Sequence, residues 1–186
     1  MTRRAWVLMA LLAGAVPLDA AELRSVTLEK RDGIYYATSD VWLDAPREEV
    51  FEVLSNWDIS TRFSSLIVES RNLEPDTSGR PGFYMQNKGC VLFFCQTVER
   101  EGYVVLKDDY LIRAVAYPGK SDFEISDETW TLVDDADGTQ ILYEMQMKPK
   151  FWIPPLIGPY AIKRKIRNDG LEALQRIEDY VNGYDQ

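Results

Sequence analysis

The side chains that could do chemistry in this chain are two cysteines, 30 Asp and Glu and ten tyrosines; it has no histidine. Without histidine there is no Ser-His-Asp or Cys-His nucleophile, no imidazole general base and no His-ligated zinc, copper or haem. Acid/base work would rest on carboxylates or tyrosines held in a pocket with shifted pKa. No catalytic residue and no cofactor is assigned from the sequence. Arg113 and Glu144 each lie in an otherwise apolar strand. Arg113 shares a strand face with Leu111, Val115 and Tyr117. Facing a cavity it would receive a carboxylate or phosphate head group; facing solvent it would pair with an acidic neighbour. Glu144 is expected to point outward, and Asp108-Asp109 and Glu99-Arg100-Glu101 read as solvated turns. Asp134-Asp135-Ala136-Asp137-Gly138 invites a calcium reading. Aligned to a calcium loop, however, it puts Val133 where an oxygen ligand is required. An Asp-Gly hairpin turn fits instead, so no metal site is expected.

Cys90 and Cys95 stand in GCVLFFCQ. In one continuous strand, residues five apart lie ~17 Å apart on opposite faces, beyond the ~7 Å reach of a disulfide. A bond therefore requires the chain to reverse between Leu92 and Phe93. The alternatives are a disulfide formed in an oxidising compartment and two buried free thiols serving as small core hydrophobes. The spacing is not Cys-x-x-Cys, which disfavours a redox-active pair.

The compartment follows from the first twenty residues. Arg3 and Arg4 precede an apolar run, Ala5 to Val16; Pro17 then breaks any helix, and Leu18-Asp19-Ala20 leads to Ala21. This reads as a signal peptide over residues 1–20, cleaved after Ala20 or Ala21. The alternative is a retained anchor, but twelve apolar residues span only ~18 Å of a ~30 Å hydrocarbon core. The expectation is a soluble protein exported from a bacterial cytoplasm to the periplasm. The chain has net charge −9, and without Arg3, Arg4 and Asp19 the balance is 19 basic to 29 acidic, net −10. That acidity disfavours a nucleic-acid partner, which needs a basic face. A composition of 46% hydrophobic and 27% charged residues marks a folded chain. No linker divides residues 21–186, so they read as one domain.

Along that domain, Ile34–Leu43 reads as a strand, with Ser25–Lys30 an extra strand or extended lead. Asp44-Ala45-Pro46 opens a helix, Asp44 capping it, with Val50, Phe51, Val53 and Leu54 as its apolar stripe. Residues 56–63 form a second short helix or turn with Trp57 and Phe63 buried. Strands follow over 66–73, 83–88, 93–100, 103–107, 110–117, 123–133 and 139–148, with turns at 74–82, Glu101-Gly102 and Pro118-Gly119. In the last strand Ile141, Tyr143, Met145 and Met147 alternate with Leu142, Glu144, Gln146 and Lys148, so one face is buried. Residues 160–183 form a long helix with Ile162, Ile166, Gly170, Leu174, Ile177 and Val181 on one face. The fold class is α+β: a strongly bent antiparallel sheet of about six or seven strands wrapped around a long C-terminal helix. Such a sheet tends to leave an apolar cavity under the helix.

Three segments carry a family resemblance: DVWLDAPREEVFEVLSNW at Asp40–Trp57, the strand with Glu128-Thr129-Trp130-Thr131-Leu132, and LEALQRIEDYV at Leu171–Val181. The arrangement resembles the START-like (SRPBCC) helix-grip superfamily, which holds START lipid-transfer domains, polyketide cyclase and dehydrase-like proteins and coenzyme-Q-binding START-like proteins. That resemblance implies a deep apolar pocket between sheet and helix for a lipid, quinone or polyketide-like ligand. It also implies that many members are binders rather than enzymes. The motifs are structural and hold no catalytic signature.

The expected ligand-binding set is Phe83, Met85, Arg113, Trp130, Tyr143, Met145, Met147, Trp152 and Gly170. Met is soft and fits irregular ligands, and an apolar pocket with few polar groups is the usual ligand site; an ordinary core is the alternative for each residue. Phe151–Arg167, FWIPPLIGPYAIKRKIR, sets Trp152, Ile153 and Leu156 beside Lys163, Arg164, Lys165 and Arg167. Four cations near a helix start oppose its dipole. Together with the apolar loop they suit transient contact with an anionic membrane surface. The alternative is that the apolar residues plug the barrel end and the cations pair with acids. The expected function is binding or transport of a hydrophobic small molecule or lipid. A cyclase or aromatase using pocket Tyr or carboxylates is the second reading, and an interaction protein with a filled core the third.

Overall fold

The computed structural model describes residues 21–91, 94–153 and 158–184. The expected signal segment and Leu156 lie outside the described residues. Eight strands run β1 (Glu22–Arg31), β2 (Ile34–Leu43), β3 (Ile67–Leu73), β4 (Gly82–Val91), β5 (Phe94–Lys107), β6 (Leu111–Ser121), β7 (Phe123–Asp135) and β8 (Gly138–Pro149). Helix α1 (Arg47–Ser55) and a 3-10 helix (Trp57–Arg62) fall between β2 and β3, and α2 (Gly158–Val181) follows β8. All strand pairs are antiparallel, in the order β1-β2-β8-β7-β6-β5-β4-β3. The sheet has eight strands against the expected six or seven: Glu22–Arg31 is a full strand, and the two runs read over 93–107 are one, β5. It turns into β2 through Asp32 and Gly33, whose positive φ values of 53° and 80° suit a tight hairpin.

Alternation decides which face is inside. On β8, Ile141 and Met145 are buried while Leu142 and Glu144 are exposed. On β2, Tyr35, Ala37, Val41 and Leu43 are buried. Of that concave face, Val41, Leu43 and Ile141 form one cluster with Val50, Phe51 and Val53 of α1, with Trp57 and Phe63, and with Ile177 of α2. Trp57 stacks on Phe83, with centroids 4.6 Å apart.

The helix start differs from its expected form. Asp44 does not cap α1; Pro46 holds the N-cap position without a side-chain cap, and the Asp44 N–H is instead donated to Glu178 on α2 at 2.8 Å. That bond ties the turn before α1 to α2, and the first amides of α1 have no side-chain cap. Cys90 and Cys95 are directly paired residues of β4 and β5 and form a disulfide, with Cα atoms 4.0 Å apart. The chain reverses between these strands as the bond requires. Asp135 of β7 pairs directly with Gly138 of β8, so Ala136 and Asp137 form the hairpin turn expected there.

The expected turn at Glu101-Gly102 does not form. β5 runs straight through it, and its register on β6 shifts between Arg100 and Gly102, where β6 accommodates extra residues around Pro118-Gly119. Gly102 is needed there: a Cβ would sit 2.0 Å from the Val115 carbonyl oxygen. A backbone atom cannot step aside as a side-chain tip can. Gly102→Ala should therefore lower stability by about 1–3 kcal/mol, measured by chemical denaturation; a loss within error would show that β6 can move.

Candidate functional site

Two apolar cavities lie between the concave face and α2. The first, about 300 Å³, is floored by Val41, Ile141, Tyr143, Trp130 and Met85, and is closed by Trp57, Phe63, Gly170 and Leu174. The second, about 280 Å³, is lined by Tyr35, Phe123, Met145, Met147, Ile153 and Ile162 among others. Ile166 borders both, so the α2 stripe roofs two adjoining chambers. Lys88 and Lys165 border the second chamber, Lys165 being bonded to Asp169 at 2.8 Å.

The expected ligand residues divide between these places. Met85, Trp130, Tyr143 and Gly170 line the first chamber, and Met145 and Met147 the second. Phe83 lines neither; it is fully buried behind Trp57. Arg113 is a correction. It is on the outer face, its Nε donating to Asp127 at 2.9 Å, and its pKa is raised by that bond. Strand parity explains it: Ile112 and Ala114 take the inner face, so Arg113 between them points out. Trp152 is 68% exposed and borders neither chamber, whereas Ile153 borders the second. Lys163, Arg164 and Arg167 are exposed on the first turns of α2. Glu144 is exposed, as expected.

The sequence reading missed a buried ion pair. Arg100 and Glu128 are 6% and 5% exposed and are hydrogen-bonded to each other. Arg100 also donates to Ser126 Oγ at 3.2 Å and reaches Met85 Sδ at 3.2 Å. Glu128 is on β7, two strands from β5. The guanidinium can cross because the residues that β6 places on its buried face between them, Ala114 and Ala116, are small. In register, Arg100 faces Met85 of the first chamber and Glu128 faces Met145 of the second. Burial, then the charge of Glu128, pushes the Tyr143 phenol well above its usual pKa. It stays neutral near pH 7, able to donate a hydrogen bond but not to act as a base. Continuous alternation through β5 was the available signal: Arg100 has the parity of Val98 and Val104, both inward.

Eight of the twenty residues of the first chamber come from β-strands and the rest from α1, the 3-10 region and α2. One bent sheet covered by one long helix is the shape found in many solved structures. No protein-family model and no curated relative matches the chain. The STAR-related lipid transfer protein from Xanthomonas axonopodis is 20% identical, with TM-score 0.59 over 84% of this chain and 98% of that one. The Zhui aromatase/cyclase from Streptomyces sp. R1128 is 12% identical, with TM-score 0.60 over 82% and 96%. Human STARD10 is 12% identical, with TM-score 0.62 over 85% and 75%. The chain has the START-like helix-grip fold. Within this helix grip, the long C-terminal helix and bent sheet expected from the sequence are both present, and at these identities the likeness speaks for fold alone.

Removing one member of a buried pair leaves the other charge uncompensated. Glu128→Gln should cost about 3–5 kcal/mol, read by denaturant unfolding, whereas Arg113→Gln on the outer face should cost under about 1 kcal/mol. Equal losses would mean that the inner pair is solvated.

Proposed function

We propose that this chain binds, and carries between membranes or partners, a hydrophobic small molecule or lipid (a fatty acid, phospholipid or quinone-like molecule) in the two chambers under α2. The observation that carries this reading is the adjoining pair of apolar chambers, each near the ~300 Å³ lower end of small-molecule sites. Ligand burial would be driven by about 25 cal/mol per Å² of apolar surface. The helix-grip neighbours named for lipid transfer support the same class of ligand. The neighbour named as an aromatase/cyclase keeps an enzyme in view. Against that second reading, Tyr143 is the one ionisable side chain of the first chamber among the described residues, and its phenol is held neutral.

Gly170 supplies the test. A Cβ there would meet no atom within 4 Å, so a larger side chain projects into open space. Native mass spectrometry of the exported protein, followed by lipid extraction, should find a bound apolar molecule. Gly170→Phe should keep the fold and lower its occupancy at least tenfold. Ligand-free wild-type protein that also fails to take up an environment-sensitive fatty-acid probe would overturn the binding reading.

The second part of the proposal is where the ligand enters. Trp152 and Tyr160 are exposed aromatics beside exposed Lys163, Arg164 and Arg167, and Ile153 borders the second chamber. No helix of the described residues is long and apolar enough to cross a membrane. An apolar rim with cations gains ~1 kcal/mol per cation at an anionic surface. We therefore place membrane docking at this end, with export to the periplasm as its setting. Changing Lys163, Arg164 and Arg167 to Glu should abolish flotation with phosphatidylglycerol-containing liposomes; unchanged recovery would sink the docking idea and leave the binding idea standing.

A further inference from the structure

Among the described residues, Glu178 is a buried carboxylate with no cation beside it. It lies on α2 and is 7% exposed. Its Oε2 accepts the Asp44 N–H at 2.8 Å, and the carboxylate also accepts the backbone N–H of Ala21. Its charged neighbours are Asp44 and Asp179, both acids. None of the ion pairs among the described residues includes it. Buried charges in proteins are ordinarily paired, because an isolated one loses far more in hydration than backbone amides return.

Ala21 is also 7% exposed, and its methyl belongs to the main core cluster. The β1–β2 register pairs Glu22 with Trp42, which carries Ala21 to the Leu43–Asp44 step. One carboxylate thus gathers the first residue of the described domain and the turn into α1. The two cleavage points expected from the sequence are therefore not equivalent. A cut after Ala21 would remove a core methyl and the nitrogen that Glu178 holds. A cut after Ala20 keeps both and converts that nitrogen from a neutral amide to an amine, protonated near neutral pH.

We propose that the chain is cut between Ala20 and Ala21, and that the new α-ammonium of Ala21 is the counter-ion of Glu178. The step is peptide hydrolysis by a leader peptidase. Water adds to the Ala20 carbonyl, the C–N bond breaks, the carboxyl formed on Ala20 releases a proton, and the Ala21 nitrogen departs as an amine that takes one up. Because Ala21 is buried in the folded domain, the cut precedes folding. Leader removal then creates the charge that fixes α2 against β1 and the α1 turn. This inference is independent of what occupies the chambers.

The first measurement is the intact mass of the full chain expressed with its own leader and recovered after export. A start at Ala21 is expected, and any other start overturns the proposal. The second compares the Ala21-initiated protein with one exported behind a leader that leaves an extra Gly, so that an amide replaces the ammonium. Glu178→Gln should lower the thermal midpoint of the Ala21-initiated form by several degrees more than that of the extended form. Equal losses overturn the pairing. Should Glu178→Gln fail to fold in either form, acylation of the wild-type α-amine by an N-hydroxysuccinimide ester replaces it. At least tenfold slower reaction in the folded than in the unfolded chain is expected, and equal rates overturn the proposal.

Discussion

An α-helix with its side chains is 10–12 Å across, while eight strands spaced ~4.8 Å apart make a surface some three times wider. The whole molecule follows from that mismatch. Bending brings the two sides of the sheet toward α2, and α1 and the 3-10 helix close one end with Val50, Phe51 and Trp57. Bending cannot bring every strand into contact with one cylinder. The space left over is divided at Ile166. By the cost of ~24 cal/mol per Å³ of unfilled apolar volume, a void the size of the first chamber would cost on the order of several kcal/mol. That is a sizeable share of the 5–15 kcal/mol that holds an ordinary domain together. Retaining such volume under a stripe that includes Gly170 is consistent with space kept for a guest.

The parts of this design that depend on local alternation were legible in the sequence. The inward set Ile141, Tyr143, Met145 and Met147 could be read from period two alone, and the α2 stripe from its three- and four-residue spacing. Trp57 and Phe63 were recognisable as buried. The failures fall where pairing with another element, or the continuity of a strand, decides a residue's role. Asp44 looked like a helix cap because Pro46 follows it, yet Glu178 takes its N–H. Glu101-Gly102 looked like a turn because glycine usually marks one, but here glycine makes room for the Val115 carbonyl. Reading a turn there broke β5 in two and hid the parity of Arg100. Arg113, the arginine that was considered for the cavity, has the opposite parity and faces water.

The Arg100–Glu128 pair shows why composition gave no warning of polar groups inside. A guanidinium and a carboxylate on strands two apart need an intervening strand with small side chains, and Ala114 and Ala116 provide it. Removing two charges from water is expensive and their attraction only partly offsets it. The return is in specificity: the pair ties β5 to β7 across β6, and its carboxylate helps keep the neighbouring phenol of Tyr143 protonated. The pair thus sits beside Met85 of one chamber and Met145 of the other without lining either.

Because the sheet does not close on itself, β1 and β3 each keep one flank without a strand partner. Such flanks are templates for stray chains to add on. On β3, Val68 is exposed but stands beside Glu69 and Arg71, which pair with each other. On β1, Arg24, Glu29 and Arg31 put charge along the other flank. The rim stays open, and these charges are what keep it from pairing with stray strands and ending in polymerisation.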